Sequence, residues 1–164
     1  MKRRSLFVAV AICISFLRVT VSNAQPSATN GLGLSLQAID PVIKAGSSPR
    51  FSLTVTNVSD HVCRVLDFER RADLRDTYCN LVVLRDGKPV DVLRAISDPG
   101  PFSDSDYLLI LPGHAKTFML ARFPDQFEAL SPGVYEAYVD FWHYPYESHS
   151  SAYKSPRARF TVKK

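Results

Sequence analysis

The stretch Gly133-Val134-Tyr135-Glu136-Ala137-Tyr138-Val139-Asp140-Phe141-Trp142 decides the fold class. Tyr135, Ala137, Val139 and Phe141 fall on one side of it, and Glu136, Tyr138, Asp140 and Trp142 on the other. Successive side chains of an extended chain point to opposite faces, so this period of two marks a strand with one buried face. Pro132-Gly133 just before it is a turn signal. Working outward, the same period returns. Ala158, Phe160 and Val162 alternate with Arg157, Arg159, Thr161 and Lys163. Leu32, Leu34, Leu36 and Ala38 alternate with Gly33, Ser35 and Gln37, and Phe51, Leu53 and Val55 with Ser52, Thr54 and Thr56.

Weaker strand signals lie at Val62 to Phe68, Leu81 to Leu84, Leu108 to Leu111 and His114 to Arg122. Arg85-Asp86-Gly87-Lys88 carries the Asp-Gly pair of a tight hairpin, with Val90, Val92 and Leu93 on the return strand. Glu69 to Thr77 is charged around Ala72 and Leu74, which predicts a solvated loop or one or two helical turns. Asp125 to Leu130 predicts a single helical turn, and Ser97 to Tyr107 a loop. No crossover helix separates the strands, which disfavours a parallel α/β sheet. Short strands between Pro/Gly turns predict an all-β antiparallel sandwich of seven to nine strands.

The 164-residue chain has a formal charge of +4, which points toward nucleic acid or an anionic surface. That hint dissolves at the first residues. Lys2, Arg3 and Arg4 precede the apolar run Leu6 to Leu17, and Ser22-Asn23-Ala24 supplies small residues before Gln25. This is the pattern of a cleaved secretory signal peptide. The apolar run is too short for a spanning helix, which needs about 20 residues. Residues 1–24 hold four of the 20 basic residues and none of the 16 acidic ones, so the remainder balances 16 against 16. The expected organisation is a signal peptide over 1–24, a polar linker over 25–31 and one domain over 32–164. The expected location is periplasmic or secreted, with no nucleic-acid partner and no membrane span after cleavage.

Export bears on the cysteines. Cys13 lies inside the apolar run, leaving Cys63 and Cys79 in the mature chain. In an oxidising compartment two such residues predict a disulfide. A metal or redox pair is the alternative, without a Cys-x-x-Cys to support it.

The order of landmarks resembles an immunoglobulin-like domain of exported bacterial proteins. The residues that carry the likeness are Ile43-Lys44-Ala45-Gly46, Leu53-Thr54-Val55-Thr56-Asn57-Val58-Ser59-Asp60, Leu111-Pro112-Gly113 and Pro132-Gly133-Val134-Tyr135. The pattern is similar to adhesion-type, macroglobulin-type and intracellular-proteinase-inhibitor-type sandwiches, and covers Leu32 to Val162. It implies an immunoglobulin-like sandwich. Tyr135 then resembles the tyrosine-corner residue, whose hydroxyl bonds to the backbone upstream. The alternative is an ordinary buried aromatic. The antibody-type inter-sheet disulfide is missing, since the penultimate strand carries no cysteine.

Catalytic motifs are not evident. The chain has no phosphate loop, zinc-binding His-Glu-x-x-His or nucleophile elbow, and Gly31-Leu32-Gly33 lacks a third glycine. The expectation is a non-enzyme without a cofactor or metal. Phe141-Trp142-His143-Tyr144-Pro145-Tyr146-Glu147-Ser148-His149 is the most suggestive segment. Trp142, His143, Tyr144, Tyr146 and His149 form a partner-binding loop on one reading, because aromatic rings offer large contact area with few rotors. On a second, Asp140, His143, Glu147 and His149 hold a metal, though the spacing matches no strong motif. On a third, the rings cap the sandwich. Arg70, Arg71 and Arg75 interleave with Glu69, Asp73 and Asp76, which predicts local pairing. Asn57-Val58-Ser59 is formally a glycosylation sequon.

These signals predict an exported, non-enzymatic module that binds another envelope or extracellular protein or has a structural role there. The alternatives are a sandwich-type proteinase inhibitor presenting Ser97 to Tyr107, and a carbohydrate or small-ligand binder.

Overall fold

In the computed structural model, residues 27–29, 31–71, 77–90, 102–121, 130–142 and 153–164 are described. The expected signal peptide at 1–24, the expected return-strand positions Val92 and Leu93, and residues 125–129 of the expected helical turn lie outside them.

The chain is an all-β, largely antiparallel sandwich. One sheet runs in the order β1 (Ser27–Thr29), β2 (Leu32–Ala38), β4 (Arg50–Asn57) and β9 (Ala115–Ala121). The other runs β3 (Val42–Lys44), β12 (Ala158–Lys163), β10 (Gly133–Phe141), β6 (Cys79–Arg85) and β7 (Lys88–Pro89), with β11 (Tyr153–Lys154) also on β10. A two-stranded ribbon of β5 (Cys63–Leu66) and β8 (Tyr107–Ile110) accompanies them.

The period-two segments became the strands expected, with their apolar faces inward. Leu32, Leu34 and Leu36 face the interior from β2, and Phe51, Leu53 and Val55 from β4. They meet Tyr135, Ala137, Val139 and Phe141 of β10 and Ala158, Phe160 and Val162 of β12. Each large side chain so buried contributes about 1.5–3 kcal/mol. Phe51 meets Phe160 edge-on across the sandwich, with ring centroids 5.6 Å apart. Phe68 spans the two sheets, touching Phe118 at 5.3 Å and Phe141 at 5.8 Å.

The described residues hold twelve strands rather than seven to nine. The surplus consists of pieces of two or three residues, too short to display a period. β1 falls in the expected linker and pairs with β2. β3 runs parallel to β12, the one parallel pair among the described residues. Asp86 and Gly87 form the two-residue hairpin turn, with φ of 52° and 76°. Positive φ at both positions is what the right-handed twist of the flanking strands demands.

Tyr135 donates its hydroxyl hydrogen to the Ser131 carbonyl at 2.7 Å. Its ring stacks on Phe160 at 5.4 Å. The guanidinium of Arg85 also reaches the Ser131 hydroxyl. This pins the entry to β10 as a tyrosine corner does.

Along the other flank of β10 the register slips. Ala158 is opposite Ala137, but Lys154 is opposite Asp140, so four steps on one strand face three on the other. The extra residue between β11 and β12 is a β-bulge. Ser155 anchors it: its N–H donates to the Val139 carbonyl at 2.9 Å, and its Oγ accepts from the Val139 N–H at 2.9 Å.

Candidate functional site

Trp142 follows β10 directly, where its backbone N–H donates to the Tyr78 carbonyl at 2.8 Å. Its side chain is half-buried. His143, Tyr144, Tyr146 and His149 lie outside the described residues, as does Glu147 of the metal reading. Asp140 of that reading is 3.7 Å from the Lys154 ammonium. Among the described residues, no group of three or more His, Cys, Asp or Glu side chains is placed to hold a metal ion.

Further aromatic residues flank the start of this segment. Tyr78 meets Phe102 edge-on at 5.7 Å, and Phe102 lies 6.3 Å from Tyr107. The guanidinium of Arg64 rests 3.9 Å above the Tyr107 ring, an attraction between a cation and the negative ring face. Asp104 holds that guanidinium at 2.6 Å. Phe141 contacts Tyr153 at 6.4 Å. In the sequence Tyr78, Phe102 and Tyr107 are isolated rings at the edges of loop-like segments. Pairing of β6 with β10 sets Tyr78 beside Trp142, and Tyr107 enters from β8 of the two-stranded ribbon.

The underside of this end is built by Asp106, in the 3-10 turn Asp104–Asp106. Its carboxylate accepts from the Ser103 N–H at 2.7 Å and the Ser103 hydroxyl at 2.9 Å. Arg71 approaches to 3.2 Å. The hydrogen bond from the Ser103 backbone, aided by the Ser103 hydroxyl and Arg71, holds the Asp106 carboxyl below its ordinary value of 3.8. Asp106 is buried and Phe102 half-buried, while Ser103, Asp104 and Ser105 between them are exposed, so the described part of the expected inhibitory loop is held at Phe102 and Asp106. Residues 97–101 lie outside the described residues.

No disulfide joins Cys63 and Cys79 in this structure, contrary to the expected bridge. Cys63 opens β5 and Cys79 opens β6 beside Phe141. The end of β5 nearest Phe141 is the Leu66–Phe68 end, through the Phe68 ring. Cys63 lies three residues before Leu66, about 10 Å back along an extended strand. A bridge needs Cα atoms within about 7 Å. Cys63 instead packs its Sγ 3.5 Å from the Ser59 hydroxyl.

The sequon asparagine is wholly buried. Asn57 donates through Nδ2 to the His61 carbonyl at 2.7 Å and the Ile110 carbonyl at 2.8 Å. Its Oδ1 accepts from the Ser59 N–H at 2.9 Å and the Ser59 hydroxyl at 2.7 Å. It is a structural hub that ties β4 to β8. Of the basic patch, Arg71 pairs with Asp106; Arg75 lies outside the described residues.

No family model and no curated protein matches the sequence. Among solved structures, a β-glucosidase from Listeria innocua in complex with glucose is similar at 14% identity and a TM-score of 0.44, over 81% of this chain and 16% of that one. A β-glucosidase from Erythrobacter marinus is similar at 16% identity and a TM-score of 0.45, over 80% of this chain and 15% of its own. The alkylpurine DNA glycosylase from Pseudomonas fluorescens, bound to DNA, is similar at 10% identity and a TM-score of 0.46, over 84% and 32%. The chain therefore spans about a sixth of the glucosidases and a third of the DNA glycosylase. At TM-scores below 0.5 these likenesses assign neither ancestry nor activity.

Proposed function

We propose that this chain is an exported, non-enzymatic immunoglobulin-like module that binds another envelope or extracellular protein through the aromatic end of its sandwich. The observation that carries the reading is the gathering of Tyr78, Phe102 and Tyr107 beside the start of the Trp142 segment, with Arg64 stacked on Tyr107. Tyr, Trp and Arg anchored on a rigid scaffold are the residues that dominate protein–protein binding energy. The basic leader with its apolar run supports export. Two features support the immunoglobulin-like kinship. The chain switches sheets between β2 and β3, β2 pairing with β4 and β3 with β12. The hydroxyl of Tyr135 makes the corner hydrogen bond.

The test is capture from an envelope fraction by the folded protein and by a Trp142→Ala/Tyr144→Ala variant with unchanged circular dichroism. The reading expects specific partners lost by the variant. A folded variant that retains every partner overturns the assignment of the aromatic end. Inhibition of a protease panel at micromolar protein would favour the inhibitor alternative instead.

A further inference from the structure

The outer face of the β6–β10–β12 sheet carries a groove of about 310 Å³, lined among others by Pro89, Tyr138, Lys154, Ser155, Pro156 and Arg157. We infer that this groove is a saccharide-binding site, separate from the aromatic end, and that the β11–β12 bulge builds it. In a regular strand, residues three apart point to opposite faces. Lys154 and Arg157 are three apart, yet both stand on the outward face with Tyr138. Lys154 is opposite outward Asp140, and Arg157 directly precedes Ala158, whose partner is inward Ala137. The extra residue of the bulge makes this arrangement. Bulges re-aim side chains in this way beside functional sites.

The result is a half-buried aromatic ring with two cations lining the same groove, each paired with an acid from β10. The Lys154 ammonium lies 4.6 Å from the Tyr138 ring centroid and 3.7 Å from Asp140. Arg157 is 2.7 Å from Glu136. The floor is fixed, because the Ser155 hydroxyl accepts from Val139 N–H and donates to the Pro156 carbonyl at 2.9 Å. The side chains of Lys154 and Arg157 are 62% and 57% exposed, so they can swing to a ligand.

The chemistry selects a polyhydroxylated ring. A pyranose offers a face of weakly positive C–H groups to the negative face of an aromatic ring. Its vicinal hydroxyls both donate and accept. Lys154 and Arg157 supply donors, and Asp140 and Glu136 balance their charges one for one. That balance favours a neutral sugar over a polyanion. A volume near the lower limit for small-molecule pockets suits one or two sugar rings.

The test is saturation-transfer-difference NMR of the folded protein with neutral trisaccharides of glucose, xylose and N-acetylglucosamine, and with trigalacturonate. Binding of at least one neutral trisaccharide is expected, weakened about tenfold or more by Tyr138→Ala and retained by Tyr138→Trp. A Lys154→Ala/Arg157→Ala variant, altered only at exposed side chains, is expected to weaken binding about fivefold. Trp142→Ala is expected to leave it unchanged, which separates this site from the protein-binding reading. No binding by any neutral trisaccharide at millimolar concentration overturns the inference. So does binding of trigalacturonate alone, or binding that survives both Tyr138→Ala and the double variant.

Discussion

Asn57 and Tyr135 show how a single polar group can fix a chain path. Asn57 satisfies two carbonyls and two Ser59 groups from a wholly buried position. Asn57→Ala is expected to destabilise by about 2–4 kcal/mol, because buried carbonyls lose their donors, and urea unfolding would measure it. A glycan on Nδ2 is incompatible with the same contacts, so folded monomer from a glycosylating host is expected to carry none there, as intact mass would reveal. Tyr135→Phe keeps the ring stack and removes the hydroxyl's bonds to Ser131 together with its 3.4 Å contact with Arg85, with an expected cost of about 1 kcal/mol. The corner bond was half legible in Pro132-Gly133-Val134-Tyr135, which resembles a tyrosine corner but reads equally as an ordinary buried aromatic. The role of Asn57 was not legible, because its partners Ile110 and His114 lie more than fifty residues away. Asp106 gives the pH dependence. Its folded carboxyl titrates below the unfolded one, so its contribution is present above the ordinary carboxylate value and is lost as pH falls through the lowered value. Between those limits stability is expected to fall with pH in the native chain and to fall less in Asp106→Asn. Thermal melts across that acid window would reveal the difference.

At the level of elements, legibility followed length. Segments such as Leu32–Ala38 and Gly133–Phe141 contain enough alternation to reveal both their type and their buried face. β1, β3 and β11 contain two or three residues each, and only a neighbouring strand makes them strands. The bulge between β11 and β12 was hidden for the same reason, since it exists only as a mismatch with β10. The expected disulfide failed at this scale too. Cysteine count and compartment say that bridging is permitted, but the run of β5 carries Cys63 away from Cys79. β9 shows a different control. Among the described residues it is an edge strand, paired only with β4. Lys116 shares its inward face with Phe118 and Leu120, and its ammonium reaches Glu69 at 2.7 Å. An inward charge on an edge opposes strand addition by another molecule. Lys116→Val is therefore expected to preserve the fold while promoting concentration-dependent association, which light scattering would detect.

Across the whole molecule, a broad apolar interior joins the two sheets, and Phe68, which belongs to neither, packs against both. Phe68→Ala is expected to cost about 3–5 kcal/mol, with coincident loss of both sheets in denaturant, as intrinsic fluorescence and far-UV circular dichroism would report. The sandwich itself was legible from period and turns, whereas the aromatic end was only half legible. The Trp142 segment stood out by composition, but Tyr78 joined it through pairing of β6 with β10, and Phe102 and Tyr107 through ring contacts that run on from Tyr78. The parallel pair of β3 and β12 has a temporal meaning as well. β12 sits inside its sheet, between β3 and β10, and the Ala45 N–H donates to the Lys163 carbonyl at 2.7 Å. Residues 42–44 thus have no sheet to join until residues 158–163 have been synthesised. The pairing joins segments far apart in the sequence, so this edge of the sheet closes only after its distant strands have been gathered.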